Sequence, residues 1–352
     1  MLISLYLKYN GIGNQFTQYQ KYNIGGINMK IFVTGGTGNI GQNVTKALLA
    51  AGHKIVLLTR TTERIPAYKI LPNVTLVKGN MLELDVMEKA LQGCDAVVHI
   101  ALGWGNDPVE MLEHDTKVTL FLVNAAEKAG LKKFVYTSST AAMGALRDGM
   151  DETAQLLPGD LYGATKASAE MYLMGFNQYY DGQGVYGAKT KIARNVIRPG
   201  YVFSNPAYEG GASQSDVRFL NIAKAVLQNE DLTFDKFDGT QYLSGKQIAQ
   251  LYVKLVESNL NNETFMALGK KFITWAEIAQ IAIALTGSSS KVIVPNAEEE
   301  GKPSYYNASK MERVFGLSFE GDEDLKEHVQ WNIDRASKIL AGEQVHSVYH
   351  VW

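Results

Sequence analysis

The run Lys30-Ile31-Phe32-Val33-Thr34-Gly35-Gly36-Thr37-Gly38-Asn39-Ile40-Gly41 joins an apolar segment of strand length to a glycine turn, and helical periodicity begins at Val44. Glycines at such a turn let the backbone pass close to a pyrophosphate, and the start of the following helix aims unpaired N–H groups at negative charge. A glycine cluster alone specifies only a turn. Its setting specifies more: a strand over 30–34, the turn, a helix over 43–51 stopping near Gly52, and a second strand over 54–58 make a βαβ unit of dinucleotide-binding length. Gly35, Gly36, Thr37, Gly38, Asn39, Ile40 and Gly41 are the expected nucleotide cradle.

Outward from this unit, strand-length apolar runs at 74–77, 96–100, 133–137 and 192–197 alternate with helical patterns at 84–91, 109–129 and 161–179. That alternation predicts an α/β fold: a Rossmann-type doubly wound parallel sheet, with ligands gathered outside the carboxyl ends of its strands. Beyond Arg198 the alternation fades into a loop with Pro206, Gly210 and Gly211. A helix over 217–228, a strand over 264–268, a helix over 275–285 and a short strand over 291–294 follow. The expected division is a dinucleotide-binding domain over 29–200, to which 236–268 returns, and a smaller C-terminal substrate lobe built from 201–235 and 269–340. Residues 1–28, rich in Asn, Gln, Tyr and Gly and free of acids, read as a disordered or loosely attached extension ahead of Met29.

At 352 residues with a formal net charge of −2, the chain has length for a large core and no basic run suited to nucleic acid or an anionic membrane. No stretch approaches the ~18 uninterrupted apolar residues of a membrane span. Cys94 is the only cysteine, which excludes an internal disulfide and a cysteine metal cage and fits a reducing, cytoplasmic setting. No metal is expected, because the histidines lack ligand spacing.

Tyr162 and Lys166 in LYGATK stand four apart in a helical segment and so share a face. An ammonium beside a phenol favours the phenolate, so the pair can exchange a proton with a carbonyl or alcohol oxygen, although an exposed surface pair has the same spacing. FVYTSST ends in Ser138, Ser139 and Thr140 at the strand edge where this architecture gathers ligands. At the end of the second strand, where a ribose-binding acid is expected ~20 residues past the turn, stand Thr59 and Arg60, with Arg64 nearby. A guanidinium suits a 2′-phosphate, so NADP(H) is expected over NAD(H). His99, inside an apolar strand, reads as a satisfied core histidine.

At this point the chain resembles the extended short-chain dehydrogenase/reductase family, also called the NAD-dependent epimerase/dehydratase family. The landmarks TGGTGNIG, VKGNM, GCDAVVHIA, FVYTSST, YGATK, IRPGYVF and YYNASKMERVFGL occur in order from Met29 to about Leu317. The resemblance implies that Ser139 binds the reacting oxygen, Tyr162 is the general acid/base, and Lys166 lowers the tyrosine pKa and holds the ribose. It adds Asn80, Met81, Ala101, Pro199 and Gly200 to the cofactor contacts. Asn80 stands where relatives commonly have an adenine-contacting Asp. Asp115 stands where they often have Asn, and it reads either as a support of the active-site backbone or as an exposed helix acid. Pairing of the 109–129 and 161–180 helices into a homodimer is implied in the same way.

Epimerases of this family commonly hold a substrate diphosphate with two arginines. Here those places read Gly239-Thr240-Gln241-Tyr242-Leu243 and Glu299-Glu300-Gly301-Lys302-Pro303, leaving Lys302 or Arg218 as substitutes. Thr140-Ala141-Ala142 lacks the acidic pair that dehydration requires. The expected activity is hydride transfer between nicotinamide and a carbonyl or alcohol carbon of a small molecule, with Trp104, Thr140 and Tyr201 lining the pocket. A nucleotide-sugar 4-epimerase with retained NAD is the alternative, and a non-catalytic dinucleotide sensor is a third reading.

Overall fold

The computed structural model describes residues 28–178, 191–213, 217–298, 300–320 and 322–345. Strands β1 (Lys30–Thr34), β2 (Lys54–Thr59), β3 (Val74–Lys78), β4 (Ala96–His99), β5 (Lys133–Thr137) and β6 (Ala193–Pro199) join the strand Glu263–Ala267 in a parallel sheet of seven. The spatial order is Glu263–Ala267, β6, β5, β4, β1, β2, β3. Strand order reverses beside β1, so the glycine turn lies at the switch point where such sheets open a crevice. The fold matches the doubly wound expectation.

Pleating divides the core. Ile31 and Val33 of β1 face a layer containing Val44 and Leu48 of helix α1 (Asn39–Ala50), while Phe32 faces Met87 and Leu91 of α2 (Leu84–Leu91). Burial of each such side chain contributes roughly 1.5–3 kcal/mol. After α3 (Pro108–Met111), α4 (Lys117–Lys128) and α5 (Leu161–Gln178) complete the second layer through Leu122 and Leu173. Later α-helices among the described residues are α6 (Val217–Leu227), α7 (Gly245–Glu257), α8 (Trp275–Thr286), α9 (Ser309–Phe315) and α10 (Asp322–Leu340). Ile248, Leu251 and Leu255 of α7 join the first layer; α6, α8 and α10 bury Phe219, Trp275 and Val329 against one another.

Several boundaries differ from expectation. Helix α1 begins at Asn39, because extended Gly38 turns the chain directly into the helix. The segment expected as one helix over 109–129 contains a wide π turn at Leu112–Thr116 between α3 and α4. Tyr179, the expected end of α5, lies outside the described residues, as do residues 1–27. Helix α7 had a readable start in the Ser244/Gln247 capping box, yet neither it nor α9 and α10 emerged from the alternation after Arg198.

Candidate active site

The turn after β1 is close-packed backbone. Gly35 takes φ +72°, and a Cβ there would lie 2.6 Å from the Ala101 nitrogen. A Cβ on Gly41 would lie 2.0 Å from the Gly35 carbonyl oxygen, so a larger residue would push α1 off the turn. The first turn of α1 has neither a side-chain cap nor an acid. Its N–H groups and positive dipole end suit a diphosphate, and these residues fit the dinucleotide that the sequence implies.

Neighbouring groups reinforce the turn. Thr34 Oγ1 accepts from the Ile100 and Ala101 N–H groups at 3.3 Å and lies 2.6 Å from His99 Nδ1. His99 Nε2 meets Thr119 Oγ1 at 3.0 Å, and burial lowers the imidazole pKa to about 4. It is a neutral, satisfied core histidine, as expected. The Asn39 side chain is turned to the 202–204 segment: its amide donates to the Val202 carbonyl at 3.3 Å and its oxygen accepts from Ser204. Thr37 and Ile40 remain half-buried at the turn.

Arg60 is exposed at the end of β2, and burial together with the nearby Arg60 charge lowers the Arg64 pKa. Two guanidiniums thus share the rim where a ribose 2′ substituent is expected. Asn80 lies on the surface, where its side-chain oxygen accepts from the Leu82 N–H at 2.7 Å and shapes a turn. Met81 packs half-buried against the second core layer.

Ser139 stands just past β5, where its Oγ accepts from the Ala141 N–H at 3.1 Å and caps the 3₁₀ turn Thr140–Met143. A Cβ on Gly163 would lie 2.4 Å from the Ala141 carbonyl oxygen; glycine therefore lets the start of α5 lie against this turn. Tyr162 sits at that junction, half-buried. Lys166, one turn further on, is 2% exposed and meets Asp115 Oδ2 at 3.2 Å. The surface-pair reading of Tyr162 and Lys166 is therefore wrong: helix packing buries the lysine. Asp115 is fully buried on the π turn, which likewise rules out an exposed helix acid.

Sequence reasoning missed Glu170. It follows Lys166 by one helical turn, accepts three Arg198 N–H contacts at 2.7–3.1 Å, and also accepts from Ser138. The i+4 spacing from Lys166 was visible, but the partner lies on β6.

The expected pocket residues have mixed settings. Trp104 is 44% exposed in the loop after β4, and half-buried Thr140 opens the 3₁₀ turn. Tyr201 stacks edge-on against Tyr242 at 5.0 Å, so its ring also serves packing. Pro199 ends β6, and a Cβ on Gly200 would meet Leu268 at 2.4 Å and Thr140 Cγ2 at 4.0 Å. Tyr306, from the late YYNASK segment, was not anticipated there; its half-buried hydroxyl interacts with Thr140.

Fold and turn define a dinucleotide-binding α/β enzyme of the extended short-chain dehydrogenase/reductase type. The pattern of the NAD dependent epimerase/dehydratase family matches residues 31–213, and the chain belongs to that family. It is an oxidoreductase or epimerase that uses a nicotinamide dinucleotide. A protein of Synechocystis sp., provisionally named a dihydroflavonol 4-reductase, is 27% identical over 310 residues, covering 81% of this chain and 89% of its own. A 3 beta-hydroxysteroid dehydrogenase/Delta 5→4-isomerase of Mycobacterium tuberculosis is 31% identical over 189 residues, covering 50% of this chain and 48% of its own. Among solved structures, the UDP-glucuronic acid 4-epimerase of Bacillus cereus in complex with NAD superposes with a TM-score of 0.69 at 21% identity, covering 88% of this chain and 99% of that one. No helix among the described residues is long and apolar enough to cross a membrane.

Proposed function

We propose that the chain is an NADP(H)-dependent reductase or dehydrogenase of a small carbonyl or alcohol substrate. The observation that carries this reading is the buried Lys166 ammonium, one helical turn from Tyr162 on the helix packed against the Ser139 turn. The glycine turn and first turn of α1 hold the diphosphate, Ala101, Pro199 and Gly200 border the nicotinamide, and Arg60 with Arg64 faces a 2′-phosphate. When bound, the nicotinamide supplies or accepts the hydride. Ser139 orients the substrate oxygen, Tyr162 gives or takes the proton there, and Lys166 stabilises the phenolate. The cluster of α6, α8 and α10 serves as the substrate lobe, and Trp104, Thr140 and Tyr201 border its entrance.

The places that would grip a nucleotide-sugar diphosphate are otherwise engaged, which favours the reductase over the epimerase. Gln241 is buried and donates to the Gly269 and Tyr306 carbonyls at 3.1 Å. Lys302 meets Asp148 at 3.0 Å, and Arg218 meets Asp238 at 3.2 Å. Fluorescence titration with NADPH and NADH tests the cofactor preference. NADPH is expected to bind more tightly, with R60A weakening it about tenfold and leaving NADH unchanged; tighter NADH binding overturns the preference. Stoichiometric consumption of NADPH across a carbonyl panel supports reduction, whereas co-purifying NAD(H) with turnover of a UDP-sugar supports the epimerase.

Exposed Val109, Leu112, Met171 and Tyr172 on the helical elements expected to pair support a homodimer, which light scattering of the purified protein tests. The cytoplasmic reading rests on the lone, buried Cys94.

A further inference from the structure

Past Pro199 and Gly200, the proposed border of the nicotinamide, the chain continues as the segment 202–213 and touches the cofactor site at two further places. At the diphosphate cradle, the Asn39 amide donates to the Val202 carbonyl, its oxygen accepts from Ser204, and the Ala212 N–H donates to the Thr37 carbonyl at 3.5 Å. At the ribose rim, a Cβ on Gly210 would lie 1.9 Å from the Arg64 carbonyl oxygen, and Tyr208 meets Tyr68 edge-on at 5.1 Å. The Tyr68 hydroxyl in turn donates to the Gly36 carbonyl at 2.9 Å. A stretch of chain that borders the nicotinamide, the diphosphate and the ribose runs along the dinucleotide.

Gln42 fastens this stretch down. It follows Gly41 on α1 and is fully buried; its Oε1 accepts from the Ala207 N–H at 2.8 Å, and its Nε2 donates to the Ala212 carbonyl. Between those two points the chain turns back, with the Gly211 N–H donating to the Tyr208 carbonyl at 2.9 Å. A Cβ on Gly211 would lie 1.9 Å from Gln42 Oε1, so glycine leaves the room in which the carboxamide sits. One side chain of the cradle helix thus satisfies both a donor and an acceptor of the segment.

We infer that Gln42 is a positioning residue that latches the 202–213 segment along the bound dinucleotide, and that parting of this latch limits how fast the cofactor enters and leaves. Its role rests on the cofactor contacts proposed above. The start of the segment is anchored separately: Val202–Phe203 pairs with Leu243–Ser244, and Asn205 Oδ1 lies 2.7 Å from His328 Nδ1 on α10. Opening therefore hinges at that anchor and breaks the contacts of 207–212, two of which Gln42 supplies. A latch that must part in both the free and the loaded protein slows entry and exit by the same factor, so it sets rates and leaves affinity alone.

The test is stopped-flow fluorescence of the full-length protein with NADPH or NADH, whichever binds the wild type more tightly. Gln42→Met keeps the length of the side chain and removes both hydrogen bonds, while Gly211→Ala displaces the carboxamide from the opposite side and leaves α1 unaltered. Whichever variant keeps the wild-type circular dichroism is measured. Association and release are each expected to quicken about tenfold, with the dissociation constant changed by less than about twofold. Unchanged rates overturn the latch. Faster release with proportionately weaker binding also overturns it and assigns Gln42 to the shape of the cradle; loss of the fold in both variants assigns it to stability alone. Failure of the wild type to bind either dinucleotide, seen before any substitution, would overturn the cofactor site itself.

Discussion

Two ion pairs hang from consecutive turns of α5. Lys166 meets Asp115 through one contact at 3.2 Å, whereas Glu170 takes two Arg198 donors in three contacts, with Ser138 added. Both pairs are buried, but their cations differ. Arginine keeps its charge at all accessible pH values, while a buried lysine can release its proton. The chain thus has a permanent charge where β5, β6 and α5 are fastened together. The lysine pair stands one helical turn from Tyr162, the proposed proton donor.

The largest expected effect comes from breaking the permanent pair. E170Q strands a guanidinium in the interior and should cost about 3–5 kcal/mol of stability, read as a lower urea midpoint. A loss below about 1 kcal/mol would erase the distinction between the pairs. Tyr162→Phe touches the adjustable side. It should reduce turnover by about 10²-fold or more, near 2.7 kcal/mol, with the melting temperature and cofactor binding little changed.

Neutralising Asp115 should destabilise the fold less than E170Q does. Asparagine keeps an acceptor for the Gly103 N–H, so D115N should cost about 1–3 kcal/mol in the same urea experiment. Equal losses in D115N and E170Q would show that both pairs are structural.

The smallest effect is a slope. His99, beside the adjustable pair, has a folded-state pKa lowered to about 4, and His328 one lowered to about 3. Between pH 6.5 and about 4 the unfolded chain takes up protons that buried His99 refuses, so stability falls as pH falls through that window. His99 contributes about 1.4 kcal/mol per pH unit there, which H99Q should remove from the pH dependence of unfolding. An unaltered slope would show that His99 titrates freely in the fold.

Much of the fold was legible because parallel strands buried on both faces read as apolar runs, and the glycine turn reports a backbone shape that few sequences satisfy. The bounds of β5 and α2 agree with their sequence patterns residue for residue. The later helices were harder to read: α7, α9 and α10 follow loops and short strands rather than a repeating unit. In the site, Tyr162 and Lys166 were visible because a helix fixes which of its own residues share a face. Asp115 was ambiguous because its burial depends on packing against α5, and Glu170 was missed because its partner is 28 residues away, on β6.

The sequence by itself determined the parallel sheet, the dinucleotide turn, the family and the candidate proton donor, since each is written in local spacing. Only the tertiary structure decided that Lys166 is buried, that Asp115 neutralises it, and that Arg198 is committed to Glu170. A charge's environment is set by what folds over it, and those neighbours come from distant segments of the chain.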